Sequence, residues 1–158
     1  MSSPIGPKQS WQRMRPERIA VVPALLDSSF LIDLEREIES GVAGPALAWL
    51  RKNRTLAQRP LIVSCISATE FLEGCGDTNE GMKFICRFIP QSIGFQHATK
   101  CAELQRRARK SGKRFGENDA WQMAFAFRAH ASVVGRDRKA FLHLGSRYEQ
   151  FDRPVAES

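Results

Sequence analysis

The four cysteines, Cys65, Cys75, Cys86 and Cys101, form no C-x-x-C pair, and no histidine follows them at metal-ligand spacing. That excludes a zinc ribbon or knuckle and leaves most of the thiols as small buried hydrophobes. No signal-peptide h-region occurs in residues 1–18, and the longest apolar run, around Ile19 to Leu26, is too short to span a bilayer. These absences predict a reducing, cytoplasmic compartment and no membrane partner. Neither a G-x-x-x-x-G-K-S/T nor a G-x-G-x-x-G phosphate loop is present. Internal repeats and low-complexity segments are also missing. His97, His130 and His143 have no nearby nucleophile and read as surface or helix-end residues rather than catalytic bases.

What is present is 158 residues, enough for one domain that buries about two-thirds of its unfolded surface without a metal or disulfide staple. The formal charge is +7 and the sequence pI about 9.7. Such a balance favours an acidic partner, either nucleic acid or an acidic protein segment. Pro4, Pro7 and Pro16 with scattered basic residues mark residues 1–18 as an extended arm. A domain over 19–151 and a tail over 152–158 complete the predicted organisation.

Within the domain, strand and helix signals alternate. A first strand ends Ala24-Leu25-Leu26-Asp27, and Ser28 and Ser29 open a helix with Leu31, Leu34 and Ile38 on one face. Asp33, Glu35, Arg36 and Glu37 lie largely opposite, as a solvated face would. Pro45 suits the first position of a helix carrying Ala46, Trp49 and Leu50. Leu61-Ile62-Val63 is a second buried strand. Ser67 or Thr69 then starts a helix that places Glu70 in its first turn. A helix is predicted from Thr78 to Phe88, a short strand from Ser92 to Phe95, and a helix from Ala98 to Lys110. Asn118 or Asp119 begins an apolar helix through Phe127, Ser132–Val134 is a buried strand, and Phe141 to Leu144 a small helical element. Tyr148 or Phe151 covers the last sheet edge.

Strands ending in helices imply a mostly parallel sheet with helices on both faces, a three-layer α/β/α sandwich. In that topology Asp27, Glu70, Asp119 and Asp137 all reach the edge where strands finish, the usual place for ligands. Each acid also has a plain structural reading, Asp119 as a helix-start residue complementing the macrodipole and Asp137 as a turn residue. Four carboxylates gathered in a cleft repel one another and call for a cation or raised pKa values. Their hard oxygens suit Mg²⁺ or Mn²⁺. Two such ions about 4 Å apart would generate a hydroxide and neutralise the leaving oxygen of a phosphodiester.

Leu25-Leu26-Asp27-Ser28-Ser29, Ser67-Ala68-Thr69-Glu70-Phe71-Leu72, Asn118-Asp119-Ala120-Trp121 and Gly135-Arg136-Asp137-Arg138-Lys139-Ala140-Phe141 resemble, in order and spacing, the PIN-domain family. The likeness is closest to VapC-like toxins of bacterial toxin–antitoxin pairs and runs from about Ala24 to Leu144. It implies that Asp27, Glu70, Asp119 and Asp137 hold Mg²⁺ or Mn²⁺ for RNA cleavage, with Ser28 as a supporting polar neighbour. It also implies a homodimer inhibited by a small antitoxin. The chain departs from the family at Gly135, where Thr or Ser is usual, so a hydroxyl that would help hold that edge is absent.

The densest basic run, Arg106-Arg107-Ala108-Arg109-Lys110-Ser111-Gly112-Lys113-Arg114, directly precedes the Asp119 helix. Arg106, Arg107, Arg109, Lys110, Lys113 and Arg114 are the candidate RNA contacts, and a solvated helix face is the plainer alternative. Trp121 and the nearby phenylalanines read as core. The sequence therefore predicts a metal-dependent endoribonuclease, or else a catalytically silent module of the same fold that binds RNA or protein.

Overall fold

The computed structural model describes residues 21–55, 58–137, 139 and 141–153. The arm predicted at 1–18 and the end of the predicted tail, 154–158, lie outside them. Five strands form one sheet: β1 (Ala24–Leu26), β2 (Leu61–Ser64), β3 (Ile89–Gln91), β4 (Ser132–Gly135) and β5 (Tyr148–Gln150). Their order is β3-β2-β1-β4-β5 and all four pairings are parallel. The helices are α1 (Ser28–Ser40), α2 (Pro45–Thr55), α3 (Cys65–Glu73), α4 (Thr78–Ile85), α5 (Ala98–Lys110) and α6 (Glu117–Ala129).

Alternation along the buried strands sorts the core into two layers. Ala24, Leu26, Leu61, Val63 and Val134 pack with Phe30, Leu31 and Leu34 of α1, Ala46 and Leu50 of α2, Phe71 of α3 and Ile85 of α4. On the other face, Leu25, Ile62 and Val133 meet Cys101 and Leu104 of α5 and Ala120, Met123, Ala124 and Phe125 of α6. This is the α/β/α sandwich predicted from the alternation. Each large side chain so buried contributes about 1.5–3 kcal/mol. The three central strands β2, β1 and β4 are buried throughout, as a sheet covered on both faces requires.

Several boundaries differ from the sequence reading. Ser64, not Ser67 or Thr69, caps α3, its hydroxyl accepting the Ser67 N–H at 3.1 Å, so Glu70 falls in the second turn. The third strand is Ile89–Gln91 instead of Ser92–Phe95, and α4 stops at Ile85. Proline within β3 is tolerated because β3 is an edge strand paired only with β2, where one row of N–H groups has no ladder partner. Ile38 is 43% exposed rather than core-facing. Glu37 is no solvated charge: its carboxylate accepts the N–H groups of Gly44, Ala46 and Leu47 at 2.9, 3.0 and 2.7 Å and so caps α2. A Cβ at Gly44 would stand 2.5 Å from Glu37 Oε1, so the cap needs glycine there. Among the described residues, no helix is long and apolar enough to cross a membrane.

Candidate active site

Because every strand is parallel, all strand C-termini lie along one edge. Asp27 follows β1, Glu70 projects from α3 just beyond β2, Asp119 lies in the first turn of α6, and Asp137 follows β4. The four predicted acids are brought close enough to act on one another's charge. Burial first, and then the charges of Asp27, Glu70 and Asp137, push the Asp119 carboxyl up to about 6.

The acids are held very differently. Asp27 is 7% exposed and caps α1. Its Oδ2 accepts the Ser29 hydroxyl at 2.8 Å and the Ser29 N–H at 3.4 Å, while Oδ1 accepts Gln122 Nε2 at 3.2 Å. Burial raises its pKa, with Glu70 adding to the rise and the Ser29 hydrogen bonds opposing it. Glu70 accepts the Ser28 hydroxyl at 2.7 Å and Asn118 Nδ2 at 2.9 Å. Asp137 is exposed and receives the Lys139 N–H at 3.0 Å in a local turn. Asp119 is not a cap: the N-cap of α6 is Gly116, and among the described residues no hydrogen bond reaches the Asp119 carboxylate.

Gln122 is a residue the sequence reading missed. It is 1% exposed, and its Oε1 accepts the Ser67 hydroxyl at 2.9 Å and the Ser64 hydroxyl at 3.2 Å. Two donors on the oxygen leave the amide nitrogen to face Asp27, which fixes the carboxylate from a rigid helix. The only sequence signal was a polar side chain inside an apolar helix run. Asn118 and Ser29 were seen as helix starts, yet both serve the acids. Asp33, assigned to solvent, instead pairs with Arg136 Nη1 at 2.9 and 3.2 Å.

Gly135 leaves room for a hydroxyl from elsewhere on this edge. A Cβ there would lie 3.1 Å from the Cβ of Asp27 and 3.3 Å from the Ser29 hydroxyl, closer than side chains comfortably pack. Ser29 Oγ fills that space, donating to Asp27 and accepting the Arg136 N–H at 3.0 Å. On β5, the Tyr148 hydroxyl is buried without a hydrogen-bond partner among the described residues, and burial together with Asp27, Asp137 and Asp152 drives its pKa upward.

As donors, four carboxylates and a hydroxyl fit a hard divalent cation. As they stand, no three His, Cys, Asp or Glu side chains among the described residues converge tightly enough to hold an ion. Asp27 and Glu70 are each satisfied by polar partners of their own, Ser29 and Gln122 for the first, Ser28 and Asn118 for the second.

Of the other candidates, Arg106, Arg107, Arg109, Lys110, Lys113 and Arg114 are exposed, and among the described residues none makes a side-chain ion pair or hydrogen bond. His97 is a helix-end residue but buried, at 4% exposure, and takes the Gly94 N–H on Nδ1 at 3.1 Å. His130 is exposed at the end of α6. The His143 side chain lies outside the described residues.

An all-parallel five-stranded α/β/α domain with acids at its carboxyl edge is the PIN-like class of fold. Comparison with solved structures agrees. A chain of VapBC-1 from nontypeable Haemophilus influenzae superposes with a TM-score of 0.66 at 18% identity, covering 84% of this chain and 100% of that one. A toxin–antitoxin complex from Klebsiella pneumoniae gives 0.61 at 20% identity, covering 80% and 96%. VapBC-5 from Mycobacterium tuberculosis, a member of the VapBC family of toxin–antitoxin systems, gives 0.54 at 16%, covering 81% and 96%. No protein-family model and no curated relative matches the chain. The shared feature at these identities is the fold, the one adopted by VapC-like PIN domains.

Proposed function

We propose that the protein is a Mg²⁺- or Mn²⁺-dependent endoribonuclease, the toxin of a toxin–antitoxin pair acting in the cytoplasm. The observation that carries this reading is Asp119. Its carboxylate is partly buried and makes no hydrogen bond among the described residues, and burial first, then three other acids, raise its pKa to about 6. An acid kept at such a cost in a first helical turn marks a functional site.

In this reading Asp27, Glu70, Asp119 and Asp137 hold the ion, and Ser28 orients Glu70 through its 2.7 Å hydrogen bond. When bound, the ion supplies a water of lowered pKa and neutralises charge on the leaving oxygen of the phosphodiester. Gln122 and Ser29 keep Asp27 directed at the edge, and Asn118 does the same for Glu70. Asp119, free of hydrogen bonds among the described residues, is the acid able to turn toward the ion or toward a proton. The exposed arginines and lysines of Arg106 to Arg114 hold the RNA backbone by charge. A small antitoxin as inhibitor and a homodimeric assembly are part of the proposal; a toxin–antitoxin complex that shares the fold supports the antitoxin partner.

One observation favours the alternative of a catalytically silent RNA- or protein-binding module. Asp27 and Glu70 are each satisfied by polar neighbours, and no three ligands converge as they stand. Incubating the purified protein with structured RNA, in Mg²⁺ and in chelator, separates the readings. Cleavage that requires metal and disappears in Asp119→Asn supports the nuclease; intact RNA under both conditions supports the silent module.

A further inference from the structure

We propose that the Phe95 ring, in a cleft that leads from the acidic edge across Trp121 to the end of α5, is a platform on which one unpaired base of the bound RNA stacks, the cleft being the track of that strand. The proposal rests on the ribonuclease reading and adds to it a base-contacting residue.

Three open cavities adjoin along this line. The first, about 350 Å³, is walled by Glu70 and Asn118 and reaches Cys65 and Ile66. Those two residues also wall the second, about 450 Å³, whose far side is Phe95 and Trp121. Trp121 in turn walls the third, about 460 Å³, together with Arg106, Arg109 and Arg114. The series joins the carboxylates to the basic cluster through an aromatic middle. Three arginines against the single Glu117 give its outer end the sign that a phosphate chain needs.

Phe95 is the decisive feature. It is 94% exposed, an expensive position for a large apolar ring, and it stands on a short 3-10 turn, Phe95–His97. The turn itself is fixed from below: His97 is buried, receives the Gly94 N–H at 3.1 Å and packs at 5.3 Å between ring centroids on Phe125. A turn held from below that presents a bare ring, separated from the basic cavity only by the shared wall of Trp121, is a preorganised stacking surface. Duplex RNA keeps its bases stacked on each other and offers such a ring nothing, whereas an unpaired strand can turn a base onto it.

The test uses the full-length Asp119→Asn protein, in chelator, and a short fluorescent oligoribonucleotide as the single strand or annealed into a duplex, at several salt concentrations. The single strand should bind more tightly than the duplex. Phe95→Ala added to this protein should weaken single-strand binding about tenfold with an unchanged salt slope, since stacking releases no counterions. Arg109→Gln should instead lower the slope by about 0.7, one single-strand phosphate contact. Equal affinity for the duplex, or unchanged affinity in Phe95→Ala, would overturn the track. So would a changed sedimentation profile in Phe95→Ala at unchanged RNA affinity, which would assign the ring to a protein contact. Cleavage assays on otherwise wild-type protein keep the two readings apart. Metal-dependent cleavage indifferent to Phe95 overturns the track alone, and Phe95-dependent binding without cleavage overturns the nuclease reading alone.

Discussion

The N-termini of α2 and α6 each lie beside a carboxylate, and the two acids are used in opposite ways. Glu37 reaches across from α1 and takes three backbone N–H groups of the α2 start at 2.7–3.0 Å. Asp119 is itself in the first turn of α6 and takes none, while its neighbours Asp27, Glu70 and Asp137 add to the burial that raises its pKa. The same residue chemistry next to the same kind of helix end gives a structural acid in one place and a strained one in the other. What separates them is company. Glu37 meets only donors, whereas Asp119 meets other acids, and a fold keeps such an arrangement when a cation or substrate repays it.

The largest effect that sharpens this contrast is on activity. Asp119→Asn should lower metal-dependent RNA cleavage by at least about 100-fold, beyond what removal of an outer-shell partner of a metal ligand typically costs. Asp27→Asn and Glu70→Gln should match it, and Asp137→Asn, exposed in its turn, should do less. Initial rates on one RNA across the four variants check the order.

Next comes Gln122→Leu, which removes the donor to Asp27 Oδ1 without changing volume much. It should lower Mn²⁺ affinity about 10–100-fold, the range for second partners of metal ligands. Calorimetric Mn²⁺ titration reads this directly, and Gln122→Glu, which keeps shape but adds repulsion, should be worse than Leu. An unchanged affinity in both would reduce Gln122 to a packing residue.

The smallest effect belongs to the other side of the comparison. Glu37→Ala should cost about 0.5–2 kcal/mol of stability, as lost helix caps do, while leaving RNA cleavage unchanged. Urea melts and the same rate assay test both halves. A loss of cleavage without loss of stability would break the contrast, because Glu37 would then be acting at the site.

How much of this was legible in the sequence depended on whether a feature was local. Buried strands such as Leu61-Ile62-Val63 announce themselves by composition, and the alternation of strand and helix implied the three layers. The four acids were found through spacing and resemblance. Pairings made across the chain were not visible. Nothing near Glu37 says that it will cap a helix seven to ten residues on, because that depends on the angle of the α1–α2 turn. Gln122 looked like an irregular position in an apolar helix until Ser64, Ser67 and Asp27 closed around it. The shift of the third strand to Ile89–Gln91 had a different cause, since a proline that forbids a central strand is harmless at a sheet edge. Phe95 reversed the usual rule, a large aromatic left in solvent.

The claim that the four acids form one cation site is tested most directly by melting curves of the wild-type and Asp119→Asn proteins, with chelator and with Mn²⁺, across pH 4 to 8. The Asp119 carboxyl is raised from 3.8 to about 6, so between those values the folded chain binds more protons than the unfolded one, and stability falls as pH rises through that window. In chelator, Asp119→Asn should therefore melt higher than wild type above pH 6, and the advantage should vanish toward pH 4. At pH 7, Mn²⁺ should raise the wild-type melting temperature by mass action and move the variant much less. Equal Mn²⁺ shifts in the two proteins, with no pH-dependent gap between them in chelator, would contradict the account.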